Sequence, residues 1–204
     1  MKKILTICVF LGMVVSLGSS SANAAISYGT PSPALNPVFG TLINFDDQPT
    51  WTPVLPGDYA AFGVASITEL TVGPPAFARY AGSQSPPNYI GTGLEYGWNG
   101  IIRFDLARPA SQIGLGIADS AGGPEILSVY NSAGTLLESH ILTSGTNIYA
   151  VITRPSYDIS RIELSGEFFA ADDLQFNVIP APGAILLGTI GAGIVGWLRR
   201  RKTL

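Results

Sequence analysis

The chain has 204 residues, of which 47% are hydrophobic, with 24 glycines, 15 prolines, one cysteine and one histidine. A single histidine excludes a zinc site built from several histidines, and a single cysteine excludes an internal disulfide. The formal charge of −3 hides an asymmetry: all three lysines lie in the end segments, so residues 25–177 hold five arginines against all 14 acids, a net −9. An acidic, lysine-free body argues against nucleic acid and against anionic lipid as partners.

The N-terminus reads as an export signal. Met1-Lys2-Lys3 is a charged leader, residues 4–17 are apolar, and Ala22-Asn23-Ala24 is an A-x-A cleavage site for signal peptidase. The signal peptide is expected to span 1–24, and the mature chain to start near Ala25. Cys8 lies in the apolar run and leaves with it, so the mature chain has no thiol. Residues 25–40, rich in Pro, Ser and Ala, read as a linker.

Residues 41–177 read as one all-β domain, an ordinary domain size. Strands are expected at 41–46, 63–72, 88–96, 100–106, 112–118, 125–131, 136–142, 147–153, 159–165 and 173–178. Several alternate: Ile102/Phe104/Leu106, Ile113/Leu115/Ile117, and Ile162 and Leu164 around Glu163. Turn chemistry sits between them at Asn131-Ser132-Ala133-Gly134 and Ser144-Gly145-Thr146. Residues 73–87 read as a long loop. Short strands at roughly ten-residue spacing point to a β-sandwich, and a jelly roll is the expected form.

Two acidic pairs bracket this domain: Asp46-Asp47 at the end of the first strand, and Asp172-Asp173 at the opening of the last. Were those strands neighbours, the four aspartates, with Asn44 beside them, would gather hard oxygen donors of the kind Ca²⁺ takes. Solvated strand ends are the plain alternative, since Asp is common in turns. The early Phe-Asp-Asp and late Asp-Asp-Leu-x-Phe motifs resemble those of galactose-binding-like β-sandwiches found in carbohydrate-binding modules. That resemblance implies a structural rather than a catalytic role for Asp46, Asp47, Asp172 and Asp173.

Loop aromatics are the second feature. Trp51, Tyr59, Tyr80, Tyr89, Tyr96 and Trp98 fall in or near expected loops, and sugar rings stack on such faces. The segment 89–100 is the candidate saccharide site, with Tyr89, Tyr96 and Trp98 as platforms and Glu95 and Asn99 as polar partners. Packing of Tyr96 and Trp98 against the adjoining strand is the competing reading. Catalysis is not expected. His140 alternates with apolar residues and reads as an exposed strand residue. The serines lack a G-x-S-x-G frame. Glu69, Glu95, Glu125, Glu163 and Glu167 leave open a glycan hydrolase working through a carboxylate pair, but nothing singles out two of them.

The C-terminus carries the sharpest motif. Pro180-Ala181-Pro182-Gly183 precedes an apolar run at 184–198 and then Arg199-Arg200-Arg201-Lys202. The run has 15 residues, short of the roughly 20 that span a bilayer, but a terminal cation cluster after it is the positive-inside signal. Segment 178–204 resembles the sorting tail of PEP-CTERM proteins of Gram-negative bacteria, whose tails are recognised by exosortase, a membrane-embedded cysteine transpeptidase. The family's Pro-Glu-Pro is Pro180-Ala181-Pro182 here. The resemblance implies transient anchoring in the inner membrane, then placement at the cell surface or in the matrix. The expected protein is an exported, non-catalytic surface or matrix component that binds exopolysaccharide or acts in adhesion.

Overall fold

A computed structural model describes residues 25–29, 39–71, 77–81, 85–92, 99–119, 124–142, 147–167 and 169–179. The expected signal peptide, the sorting motif Pro180-Ala181-Pro182 with Arg199, Arg200 and Arg201, and Glu95, Tyr96 and Trp98 lie outside them. Among the described residues no helix is long and apolar enough to cross a membrane.

The fold is all-β and antiparallel. Among the described residues eleven strands succeed one another in chain order: β1 (Ala25–Gly29), β2 (Thr41–Ile43), β3 (Val64–Glu69), β4 (Phe77–Ala81), β5 (Asn88–Thr92), β6 (Asn99–Asp119), β7 (Ile126–Tyr130), β8 (Leu136–Ile141), β9 (Ile148–Thr153), β10 (Ile159–Glu167) and β11 (Phe169–Val178). A 3-10 turn, Ala60–Phe62, leads into β3.

Strand β6 organises the molecule. Its first half pairs with β3 and β10, Phe104 lying opposite Ile67 and Ile162. Its second half pairs with β9 and β11, Ile113 lying opposite Ile152 and Phe176. The change of partners falls around Arg108-Pro109. Proline has no N–H for the ladder, and Ala107 donates instead to the Gly63 carbonyl at 2.9 Å. One half of the sheet therefore runs β3-β6-β10-β7-β8. The other runs β1-β9-β6-β11, with β5 and β2 sharing the far edge of β11 and β4 beyond β5. Ile102, Phe104, Ile162 and Leu164 from the first half and Ile113, Leu115, Ile152 and Phe176 from the second join one buried cluster. The alternation that predicts strands thus also builds the core, at roughly 25 cal/mol per Å² of apolar surface removed from water.

Three expectations change. The strands expected at 100–106 and 112–118 are one continuous strand, because a proline in the right place redirects a strand without ending it. The linker 25–40 contains β1, which adds to the edge of β9 with Ala25 opposite Thr153. The loop 73–87 contains β4, paired to β5 with Tyr80 opposite Tyr89. β1 takes its pairing partner from distant sequence, which local composition does not report. β4 pairs with the strand that follows it, β5, and is obscured in the sequence by the Pro- and Ser-rich composition of 73–87.

Candidate functional site

The geometry of the acidic pairs comes from β2 and β11 being antiparallel neighbours, with Ile43 opposite Leu174. The residues just after Ile43 therefore lie beside those just before Leu174. On the same edge of β11, β5 pairs only with Ala170 and Ala171 and β2 only from Leu174 onward. Asp172 and Asp173 occupy the gap between the two, where the register of β11 against β6 also slips. Such a bulge re-aims side chains. Asp173 there has φ of +49°, a conformation non-glycine residues rarely adopt.

Both residues are buried, Asp172 at 1% exposure and Asp173 at 0%. Asp172 accepts from the Asp173 N–H at 2.8 Å and from the Ser85 N–H at 3.0 Å. Neither carboxylate oxygen of Asp173 has a hydrogen-bond partner among the described residues. The Ser85 hydroxyl lies near enough to ease its charge but outside hydrogen-bond geometry. Burial, then the Asp173 charge, pushes the Asp172 pKa up to about 9. Burial, then the Asp46 charge, pushes Asp173 up to about 6. Asp46 is raised as well, chiefly by burial.

Asp46 is aimed by its surroundings. Phe45, at φ of +57°, turns into the core against Tyr59, with ring centroids 5.2 Å apart and nearly perpendicular. Asp46 stays outside it and accepts from the Asn88 N–H at 2.8 Å and the Asn44 amide at 2.8 Å. Asn88, itself buried, donates to the Gln48 carbonyl and accepts from the Thr50 hydroxyl, tying this turn to the start of β5. Asp47 goes elsewhere: it accepts from the Tyr59 hydroxyl at 2.7 Å. Asp46, Asp172 and Asp173 thus lie near enough to act on one another's charge, while Asp47 has a structural task.

A polar support lies behind the bulge. The Tyr149 hydroxyl donates to the Asp173 carbonyl at 2.9 Å and accepts from the Gln175 amide. Gln175 in turn accepts from the Phe39 N–H at 3.1 Å. Gly114 makes room for this arrangement, since a Cβ there would sit 2.8 Å from the Tyr149 ring and hydroxyl. Sequence reasoning missed Ser85, Asn88, Tyr149 and Gln175; only the two acidic motifs gave a local signal.

The donor set is carboxylate and backbone oxygen, which suits a hard divalent cation such as Ca²⁺, and Asp173 offers two oxygens with no other partner among the described residues. Yet among the described residues no three acidic, histidine or cysteine side chains are gathered closely enough to hold a metal ion as they stand. The fit is one of chemistry and of an unmatched buried charge, not of a closed cage.

The aromatic candidates separate. Tyr89 is half-buried on β5, its pKa raised by burial, and Asn99 opens β6 opposite Glu167. Tyr59 is a core residue with 1% exposure, not a loop platform. His140 is not freely exposed either. It faces the same way as Glu138, 3.1 Å from its carboxylate, and Glu138 also holds Arg154, which bonds Asp158 at 2.7 Å and 2.8 Å. Glu69 and Glu125 are both buried, and the Glu69 carboxylate accepts from the Thr71 N–H at 2.8 Å.

The chain matches no protein-family model and no curated protein. Among solved structures it is similar to the enzymatically active domain of tailspike protein 4 of bacteriophage CBA120, at a TM-score of 0.34 and 10% sequence identity. The likeness covers 78% of this chain and 20% of that one, so the chain spans about a fifth of that protein's length. At this level the likeness carries no argument for activity.

Proposed function

We propose that the protein is an exported, non-catalytic component of the cell surface or extracellular matrix, a jelly-roll-like module steadied by Ca²⁺ that binds polysaccharide. One observation carries the reading: the buried carboxylate of Asp173, without a hydrogen-bond partner among the described residues, within reach of the charges of Asp172 and Asp46. A buried carboxylate without a counter-charge costs several kcal/mol unless it is protonated or meets a cation. Asp46, Asp172 and Asp173 would hold the ion, and Ca²⁺ would neutralise them and fasten β2 and the Ser85 segment to β11. Export rests on the signal-like residues 1–24, and sorting by an exosortase-type enzyme on 180–204.

Ca²⁺ is expected to raise the melting temperature of the protein, and EDTA to reverse the rise. At about 100 times its dissociation constant it adds roughly 2.7 kcal/mol. A melting temperature indifferent to Ca²⁺ and EDTA removes the metal from this reading. The hydrolase alternative predicts release of reducing sugar from envelope glycans, abolished by a single Glu→Gln change.

A further inference from the structure

A second polar site lies on the other half of the sheet, where β6 bends. A cavity of about 280 Å³ opens there, lined by Asp105, Pro109, Asn131, Ser132, Ser160 and Arg161. Its charged members are built in. Asp105 accepts from Arg103 Nε at 3.0 Å and Nη2 at 2.9 Å, from Arg161 Nε at 3.2 Å and from the Ser66 hydroxyl at 3.0 Å. That carboxylate is saturated. Arg161 lies over the Tyr130 ring, 5.7 Å from its centroid, and under the β7–β8 turn, where a Cβ on Gly134 would meet its Nη1 at 3.9 Å.

What remains for a ligand is donor-rich. The outer nitrogens of Arg161 make no hydrogen bond among the described residues; Nη1 reaches only an ion-pair distance of 4.0 Å from Glu163. Asn131, which lines the cavity, spends its Oδ1 on the N–H groups of Ala133 and Thr135, so its NH₂ group is not used in that turn. Ser132 and Ser160 complete the polar lining. A lining that brings together a guanidinium, an amide, two serines and the apolar ring of Pro109 suits a ligand with acceptor oxygens and an apolar flank.

We infer that this cavity is a subsite for a carboxylated sugar, a uronate unit of an acidic polysaccharide, with Arg161 taking the carboxylate. The inference rests on the polysaccharide-binding reading and specifies its site and its ligand. It moves that site away from residues 89–99.

The test is calorimetric titration of the full chain in detergent with oligogalacturonate and with a neutral oligoglucan. EDTA is present throughout, so that no cation at Asp46, Asp172 and Asp173 bridges to a uronate. Saturable binding of oligogalacturonate alone is expected. Arg161→Lys, which loses the planar fork, and Ser132→Tyr, which fills the cavity from an exposed turn, should each weaken it roughly tenfold or more. Should Arg161→Lys lower the melting temperature, Ser132→Tyr decides. Equal affinity for the neutral glycan, or unchanged affinity in Ser132→Tyr, overturns the uronate pocket while polysaccharide binding itself survives. Binding of neither glycan overturns both.

Discussion

Asp173 concentrates the unusual features of this chain. It has a left-handed backbone within a strand, no exposure, and two carboxylate oxygens without a hydrogen bond among the described residues. Each of these costs stability, and such costs persist where a function needs them. Without a cation, Asp172 and Asp173 hold folded-state pKa values of about 9 and about 6 against an ordinary value of 3.8. The folded state then binds more protons than the unfolded state between those limits, so stability falls as pH rises from about 4 toward 9. Denaturant unfolding in EDTA should show this fall as a steady loss of stability between about pH 4 and pH 9. Ca²⁺ should flatten it, since the ion takes the deprotonated carboxylates. Asp173→Asn, free of the charge, should be more stable than the parent in EDTA at pH 8 and should lose the Ca²⁺ response. A parent protein whose stability in EDTA climbs between pH 5 and 8 contradicts the arrangement.

At the scale of elements, the site depends on strands far apart in sequence. Tyr149 on β9 reaches across β6 to the Asp173 carbonyl on β11, and it does so over Gly114. Gly114→Ala should therefore displace the Tyr149 ring and destabilise the protein by about 1–3 kcal/mol, the usual cost of overpacking. Tyr149→Phe should cost about 1–3 kcal/mol by leaving the Asp173 carbonyl and the Gln175 amide short of a partner. Because the added Cβ meets both ring and hydroxyl, the double variant should cost less than the sum of the two. Strict additivity in the cycle would show that Gly114 and Tyr149 act independently. Elements of this kind explain how much of the molecule was legible in the sequence. The alternation of Ile102/Phe104/Leu106 and the two Asp-Asp motifs are local patterns, and they located the core strands and the acidic residues. The role of Asn88 as a hub, the pairing of β1, and the continuity of β6 through Pro109 depend on partners remote in sequence: Asn88 meets Gln48 across 40 residues, and β1 meets β9 near the far end of the domain. Periodicity does not carry that information. The half-buried Glu138–His140 pair is a subtler case: a bulge between Val129 and Tyr130 resets which residues of β8 face inward.

For the whole molecule, the ends and the fold make a joint claim. Strand β1 starts at Ala25, the residue expected to open the chain after signal cleavage, and lies on the exposed edge of β9. At the other end β11 runs to Val178, two residues before Pro180. The described strands, from β1 to β11, thus lie between the two expected processing sites. Intact mass of the native protein, from cells and from medium, should then show a species beginning near Ala25 and ending near residues 180–183. A net charge of −9 on that species favours solubility and repels anionic lipid, so it should be found away from the inner membrane. The alanine between the two prolines bears directly on this outcome, because Ala181→Glu restores the family's motif. If an exosortase-type enzyme reads the tail, that change should raise the released fraction. A native mass that retains Arg199–Leu204 in both fractions, unaltered by Ala181→Glu, would instead mark a permanent anchor, and the domain would then face the periplasm rather than the matrix.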